Sequence, residues 1–151
     1  MDVREAWNRL ATIRELLFDA RSHSATSTGW TGSGRGSVQV EMVDERTMLF
    51  IETGSWTTEQ DREIAFNNVF RWTAVLDQQL IRLEHLRFGP RHPVYLFDLV
   101  PVSDRILESG TPHVCRKDLY SARLEFEEAA VRLIWTVIGP KKDERISYAY
   151  R

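Results

Sequence analysis

Three things are nearly missing from this chain of 151 residues: cysteine, long apolar runs and net charge. A single cysteine cannot close an internal disulfide, and it suits a reducing compartment. No apolar stretch approaches the roughly 20 residues that a membrane-spanning helix needs. Twenty Lys and Arg stand against 22 Asp and Glu, for a formal charge of −2, which gives no electrostatic footprint for nucleic acid or an anionic membrane. Basic runs, low-complexity tracts and internal repeats are also lacking. The first twenty residues carry acids and bases throughout, unlike a secretory signal. The expectation is a cytoplasmic protein with neither nucleic acid nor membrane as partner. Its length suits a single domain over 1–151, large enough for a core of its own.

Glycine is also scarce, at eight residues, yet three of them stand at alternate positions of one stretch, Thr28 to Met42. Trp30, Gly32, Gly34, Gly36, Val38, Val40 and Met42 form one set, and Thr31, Ser33, Arg35, Ser37, Gln39 and Glu41 the other. That period of two marks a strand with one buried face. The spacing has a superficial likeness to a phosphate loop. A Walker loop, however, needs Gly-Lys-Ser/Thr, and a dinucleotide fingerprint needs a strand before the glycines and a helix after them. Here the glycines follow a loop and enter a strand. They are read as letting the strand bend, or letting a large ring pack on bare backbone.

Residues 2–20 read as one amphipathic helix, with Val3, Ala6, Trp7, Leu10, Ile13, Leu16, Leu17 and Ala20 at spacings of three and four. Asp2 and Glu5 are spaced as a capping box. After a Ser/Thr/Gly connection the pattern becomes that of strands: Thr47–Trp56, Glu63–Val75, Leu80–Phe88, Val94–Val102, Ile106–Lys117, Tyr120–Glu127, Val131–Ile138 and Arg145–Arg151. With the glycine strand these make about nine short strands separated by turn residues, the signature of an all-β barrel or sandwich. No βαβ alternation occurs. Tight connections favour an up-and-down meander, and closure into a barrel of eight to ten strands over 29–151 would remove its open edges. The helix would pack on that barrel or plug one end.

Four groups of residues invite a chemical reading. The glycine triplet is the first. The second is His113-x-Cys115 with Asp118 and Tyr120. His113 and Cys115 would share a strand face about 7 Å apart, too far for a working Cys–His pair. One Cys and four His at unrelated spacings offer no zinc quartet. Cys115 then packs as a small hydrophobe, Asp118 bonds backbone in a turn, and His113 is left to line a cavity. The third group is polar residues on apolar faces: Asn68 between Phe66 and Phe70; Glu52 with Met48, Phe50, Gly54 and Trp56; and His85 and Arg87 with Ile81 and Leu83. A buried charge must pair, so Glu52 with Arg87 or Arg71 is the expected internal ion pair. The fourth is the end of the chain. Gly139-Pro140-Lys141-Lys142 reads as a turn with solvated lysines, Tyr148 and Tyr150 alternate inward with Ile146, and Arg151 falls at a barrel rim.

Together these residues resemble a bacterial family of unknown function made of short, single-domain, lipocalin-like barrels. The matching elements are Glu52-x-Gly54, Arg71-Trp72, His113-x-Cys115-x-x-Asp118-x-Tyr120, Trp135-x-Val137-x-Gly139-Pro140-Lys141, and the ending Tyr150-Arg151. The resemblance implies an antiparallel up-and-down β-barrel of calycin type and brings no known activity. Trp30-x-Gly32-x-Gly34-x-Gly36 also resembles the opening strand of nitrobindin-like haem barrels. Those ligate haem through a histidine near the C-terminus. Residues 139–151 contain none, so a haem would need His113 or His85 from another strand. No cofactor is otherwise expected.

The leading functional expectation is a mostly apolar pocket with a few converging polar groups, binding a small hydrophobic or aromatic molecule inside the barrel. Trp30, Phe50, Phe66, Phe70, Trp72 and Trp135 would supply the walls. Glu52, Asn68, His85, His113 and Tyr148 would orient the ligand. A lyase- or isomerase-type enzyme on the same barrel would use His113 or Glu52 as acid or base, with Arg87 or Tyr148 polarising the substrate. A barrel filled by its own side chains would point instead to an interaction protein, such as a homodimer formed through the helix or an open edge.

Overall fold

A computed structural model describes residues 1–23, 31–110, 113–115 and 117–151, the side chains of residues 113 and 115 excepted. The chain opens with a short helix, α1 (Val3–Leu10). Its start is built as the sequence implies. The Asp2 carboxylate accepts from Glu5 N–H at 2.8 Å, and the Glu5 carboxylate accepts from Asp2 N–H at 2.9 Å, a capping box that satisfies two helix-end donors. Val3, Ala6, Trp7 and Leu10 are its buried face and join the main core.

The helix stops ten residues earlier than its apolar spacing suggested. After Leu10 the chain turns, and Glu15–Ser22 is strand β1. Leu16, Leu17 and Ala20 do continue the helical spacing, but Leu16, Phe18 and Ala20 also alternate. Local pattern satisfies both periods, and the tertiary environment decides between them. As a strand, β1 puts Leu16 and Ala20 inside, at 1% and 5% exposed, and leaves Leu17 outside at 43%.

The other strands are β2 (Gly32–Asp44), β3 (Thr47–Thr58), β4 (Glu63–Val75), β5 (Leu80–His85), β6 (Val94–Ser103), β7 (Ile106–Ser109), β8 (His113–Cys115), β9 (Asp118–Phe126), β10 (Val131–Gly139) and β11 (Lys142–Tyr150). All pairings are antiparallel, and each strand of the wall lies beside its neighbour in sequence, as in a meander. The expected run Ile106–Lys117 is split into β7 and β8, which both pair along the same side of β9. The barrel closes through β1, which pairs with β2 on one side and with β11 on the other, Leu16 lying opposite both Gly36 and Tyr150. The wall therefore has ten strands: β1 to β7, then β9, β10 and β11. Among the described residues, no helix is long and apolar enough to cross a membrane.

The helix caps one end. Arg9 reaches across to donate to the Glu127 carbonyl at 2.7 Å, and its guanidinium lies 5.7 Å from the centre of the Phe126 ring. The glycines of β2 are explained by close approach. A Cβ on Gly34 would lie 2.5 Å from the Phe18 ring and 2.7 Å from Trp56 Cβ. A Cβ on Gly36 would collide with the Thr53 carbonyl and come within 3.1 Å of the Phe66 ring. Rings packed on bare backbone, the role expected of these glycines, are what the barrel wall contains.

A Gly34→Ala substitution is expected to destabilise the fold by about 1–3 kcal/mol through overpacking. At about 2–4 °C per kcal/mol for a chain of this size, the loss is measurable by thermal circular dichroism. Gly110→Ala, where an added Cβ meets nothing closer than 4.0 Å, serves as the near-neutral control.

Candidate functional site

Strand alternation decides which side chains face inward. On β3 these are Met48, Phe50, Glu52, Gly54 and Trp56; on β4, Phe66, Asn68, Phe70, Trp72 and Ala74. Glu52 lies opposite Val38 on β2 and Asn68 on β4. The inner face is not uniform along the barrel axis. Towards α1, Leu16, Met48, Phe50, Trp72, Ile81, Leu99 and Tyr150 are at most 1% exposed. Towards the opposite end Phe18, Trp56, Phe66, Asn68, His85 and Trp135 are only half-buried, although they too sit on the inner face. Solvent thus reaches the interior from one end, and the helix shuts the other. The inner face is thus graded like a cup, from a less enclosed end, the mouth, to a fully enclosed one, the floor.

Aromatic rings run without a break from the mouth to the floor. Phe18 meets Trp56, Phe66 and Tyr148 at centroid distances of 6.4, 5.4 and 5.9 Å. Tyr148 is stacked on Tyr150 at 5.3 Å with planes 6° apart. Tyr150 meets the edge of Phe50, which leads on to Trp72. On the facing wall Trp135 contacts Phe70, Phe97 and Tyr148 at 6.5, 5.7 and 6.3 Å. His85 lies flat on Phe70, centroids 4.7 Å apart.

Glu52 stands at the centre of this arrangement, with no exposed surface. The Tyr150 hydroxyl donates to its Oε2 at 2.7 Å, and Oε1 has no hydrogen-bond partner among the described residues. The expected ion pair with Arg71 or Arg87 is not formed. Arg71 instead pairs with Glu84 at 2.9 Å, its direct cross-strand neighbour. Arg87 lies beyond the end of β5, exposed, with its guanidinium 4.9 Å from the Phe88 ring centre. Cross-strand register wins over the inward path because an arginine reaches an outer-face partner without losing water. Left without a cation, the Glu52 carboxyl is pushed up by burial to about 8, the hydrogen bond from Tyr150 opposing the shift. Burial likewise holds both tyrosine hydroxyls far above their ordinary range, with Glu52 adding to it. The His85 imidazole is lowered, first by burial and then by Arg87.

Of the residues expected to form a site, Glu52, Phe66, Asn68, Phe70, His85, Trp135 and Tyr148 share the inner face of the cup. Trp72 lies deeper, fully enclosed on the helix side. Trp30 and the side chains of His113 and Cys115 lie outside the described residues. Tyr150, which holds Glu52, was legible as an inward residue but not as a site residue. Phe18 was hidden by the helical reading of its segment. At the mouth, Gly139 leaves room for the Asp118 side chain, which pairs with Lys142 at 3.5 Å. The histidine–cysteine and glycine–proline–lysine motifs are thereby joined across β9, β10 and β11. Lys142 is thus paired, where a solvated lysine was expected.

Residues 18–151 match one family. The chain belongs to DUF6314, a family of unknown function. The match begins inside β1, so the family model covers the barrel wall from Phe18 onward and leaves out α1 and the first three residues of β1. No curated protein and no solved structure matches the chain. Among the described residues no group of three or more His, Cys, Asp or Glu could hold a metal ion. For a haem iron, His85 is the one described histidine on the inner face, and its ring is engaged on Phe70.

A buried acid with a raised pKa makes stability depend on pH. The folded protein holds the Glu52 proton more tightly than the unfolded chain does. The stabilisation is complete below the unfolded carboxyl range and is lost as pH rises through about 8. Across that window stability falls by roughly 5 kcal/mol in all. Glu52→Gln cannot ionise. Its melting temperature relative to wild type is expected to climb between about pH 5 and 9, and a flat difference by differential scanning calorimetry would contradict the assignment.

Proposed function

We propose that this barrel is a lipocalin-like binder of a small hydrophobic or aromatic molecule, taken into the cup through the end opposite α1. One observation carries the reading. A fully buried carboxyl without a cation, with one oxygen tied to Tyr150 and the other without a protein partner, sits among aromatic rings at the floor of a one-ended interior. Apolar walls with a few placed polar groups are the common design of a small-molecule site. Affinity would come from covering ring surface, and orientation from Glu52, Asn68, Tyr148 and His85. The catalytic reading has an acid in Glu52 but no described base within hydrogen-bond reach of it.

Native mass spectrometry of the protein purified from its own cells, with an absorption spectrum of the same sample, is expected to reveal a bound small molecule. Adding apolar aromatic compounds is expected to raise the melting temperature. Saturation at a hundred times Kd stabilises by about 2.7 kcal/mol. A protein that carries no co-purifying molecule and whose melting no aromatic compound shifts is not a binder of this kind.

A second observation supports self-association alongside binding. Val114, Leu119 and Ile138 lie in register across β8, β9 and β10 and are 60%, 44% and 56% exposed. If two copies meet on this row, Leu119→Glu is expected to shift the protein from dimer to monomer in sedimentation velocity. A wild type that is monomeric at high concentration would dispose of the idea.

A further inference from the structure

Four buried polar atoms have no hydrogen-bond partner among the described residues: Glu52 Oε1, Trp72 Nε1, Trp135 Nε1 and, at the mouth end of β1, Ser22 Oγ, a hydroxyl that can donate or accept. The two indole nitrogens can only donate. Glu52 differs, because its character depends on its proton. With burial holding the carboxyl at about 8 and no cation beside it, it is a neutral acid at pH 7. Tyr150 donates to Oε2, which leaves Oε1 to carry the hydrogen. Glu52 Oε1 and the two indole nitrogens are then donors in need of an acceptor, and leaving such a group unmet costs about 1–3 kcal/mol each.

We propose that the cup selects a neutral, planar, apolar molecule bearing a carbonyl-type oxygen, seated with that oxygen accepting the hydrogen of Glu52 Oε1. This rests on the binding reading above and narrows it to a ligand class. Trp135, joined to Glu52 through the stacked pair Tyr148 and Tyr150, stands in the same aromatic run to cover the ligand's ring.

The rival classes fit less well. An anion would need a cation on the inner face. The arginines of β4 and β5 are engaged outside, Arg71 with Glu84 and Arg82 with Asp98, and Arg35 on β2 and Arg145 on β11 are exposed. A protonated amine would find aromatic faces, but it would first have to drive the proton off Glu52. The carboxylate left behind would accept from the ammonium, but only at the cost of ionising a fully enclosed group, and the indole N–H groups offer it no acceptor. A neutral acceptor requires no ionisation.

The elements packed round Glu52 leave its titration isolated. Val38 on β2 and Asn68 on β4 do not titrate. Tyr148 and Tyr150 on β11 stay protonated well beyond pH 9, because burial raises both. Trp135 on β10 carries no charge, and His85 on β5 is neutral above its lowered pKa. Lys142 and Glu144 share the inward register of β11 nearer the mouth, so the change in affinity near pH 8 that reports Glu52 is the one Glu52→Gln abolishes.

The test uses the full chain and three compounds of one shape, followed by isothermal titration calorimetry. These are 2-acetylnaphthalene, 1-(2-naphthyl)ethylamine and 2-isopropylnaphthalene: a ketone, an ammonium and a hydrocarbon. The ketone is expected to bind roughly tenfold tighter than the other two, the worth of one hydrogen bond. Its affinity should be level from about pH 6.5 to 7.5 and fall by roughly tenfold per pH unit above about 8. Glu52→Gln keeps an N–H donor, so it should hold the ketone within a few fold and lose the pH dependence. Glu52→Leu, checked for folding by circular dichroism, should lose the preference for the ketone over the hydrocarbon. Tightest binding by the ammonium, or affinity rising through pH 8, overturns the neutral-acceptor assignment. Equal binding of ketone and hydrocarbon overturns it too but leaves the binding reading standing. Failure of all three to bind overturns both.

Discussion

Everything in this barrel depends on the two ladders that hold β1. It lies between β2 and β11, the second strand of the chain and the last. Without it the remaining wall would be an open sheet with two long unpaired edges, which proteins seldom leave exposed. The join is sealed at its rim. Arg14 and Glu15 donate from their backbone to the carbonyl of Arg151 at 2.7 and 2.9 Å, and Arg151 returns a bond to Glu15 at 3.0 Å. Closure also places the helix. Only residues 11–14 separate α1 from β1, so α1 cannot travel far from the end of the barrel where β1 begins. The end it covers is the end that is dry.

The same strand builds the site. Phe18 projects from β1 into the cup because Gly34, its cross-strand partner on β2, leaves it the space. From there it touches Trp56, Phe66 and Tyr148 and so ties three walls together. Tyr148 and Tyr150 come from β11, the strand on the other side of β1. The bond from Tyr150 to Glu52 therefore spans the barrel between strands that are far apart in sequence, |i−j| being 98. A chain that closed in any other register would bring a different residue opposite Glu52. A slip of one position would turn every inward ring outward.

Much of this was legible in the sequence, and what was not has a physical cause. Strict alternation in residues 32–42 and 63–75 exposed the inner faces of β2 and β4, so Phe66, Asn68, Phe70 and the glycines were placed correctly. The capping box at Asp2 and Glu5 was readable because its two residues are neighbours. Residues 15–22 were misread because Leu16, Leu17 and Ala20 satisfy a helix and a strand alike. Only the empty place between β2 and β11 makes them a strand. The partner of Glu52 was unreadable for a related reason. Period and composition say that a carboxyl is inside, but not whether an arginine or a tyrosine lies opposite. Arg71 was the natural guess until register gave it Glu84.

That correction changes what Glu52 means. An internal Glu–Arg pair would have been a structural feature, charged at neutral pH and saturated by its partner. A lone carboxyl in the same position gains little for the fold. A leucine of similar size would fill the space without any cost of desolvation, and apolar replacement of buried ionisable groups is often neutral or stabilising. The one hydrogen bond Glu52 makes is from Tyr150, and burial makes the carboxyl costly to the fold once it loses its proton. Local departures from a well-packed apolar core tend to mark sites where another requirement is being met. In this barrel the departure lies on the enclosed inner face, within a layer of rings, where on the proposed reading an entering molecule brings the missing acceptor. On the proposed reading, a residue whose burial costs the fold is the one through which a ligand is chosen.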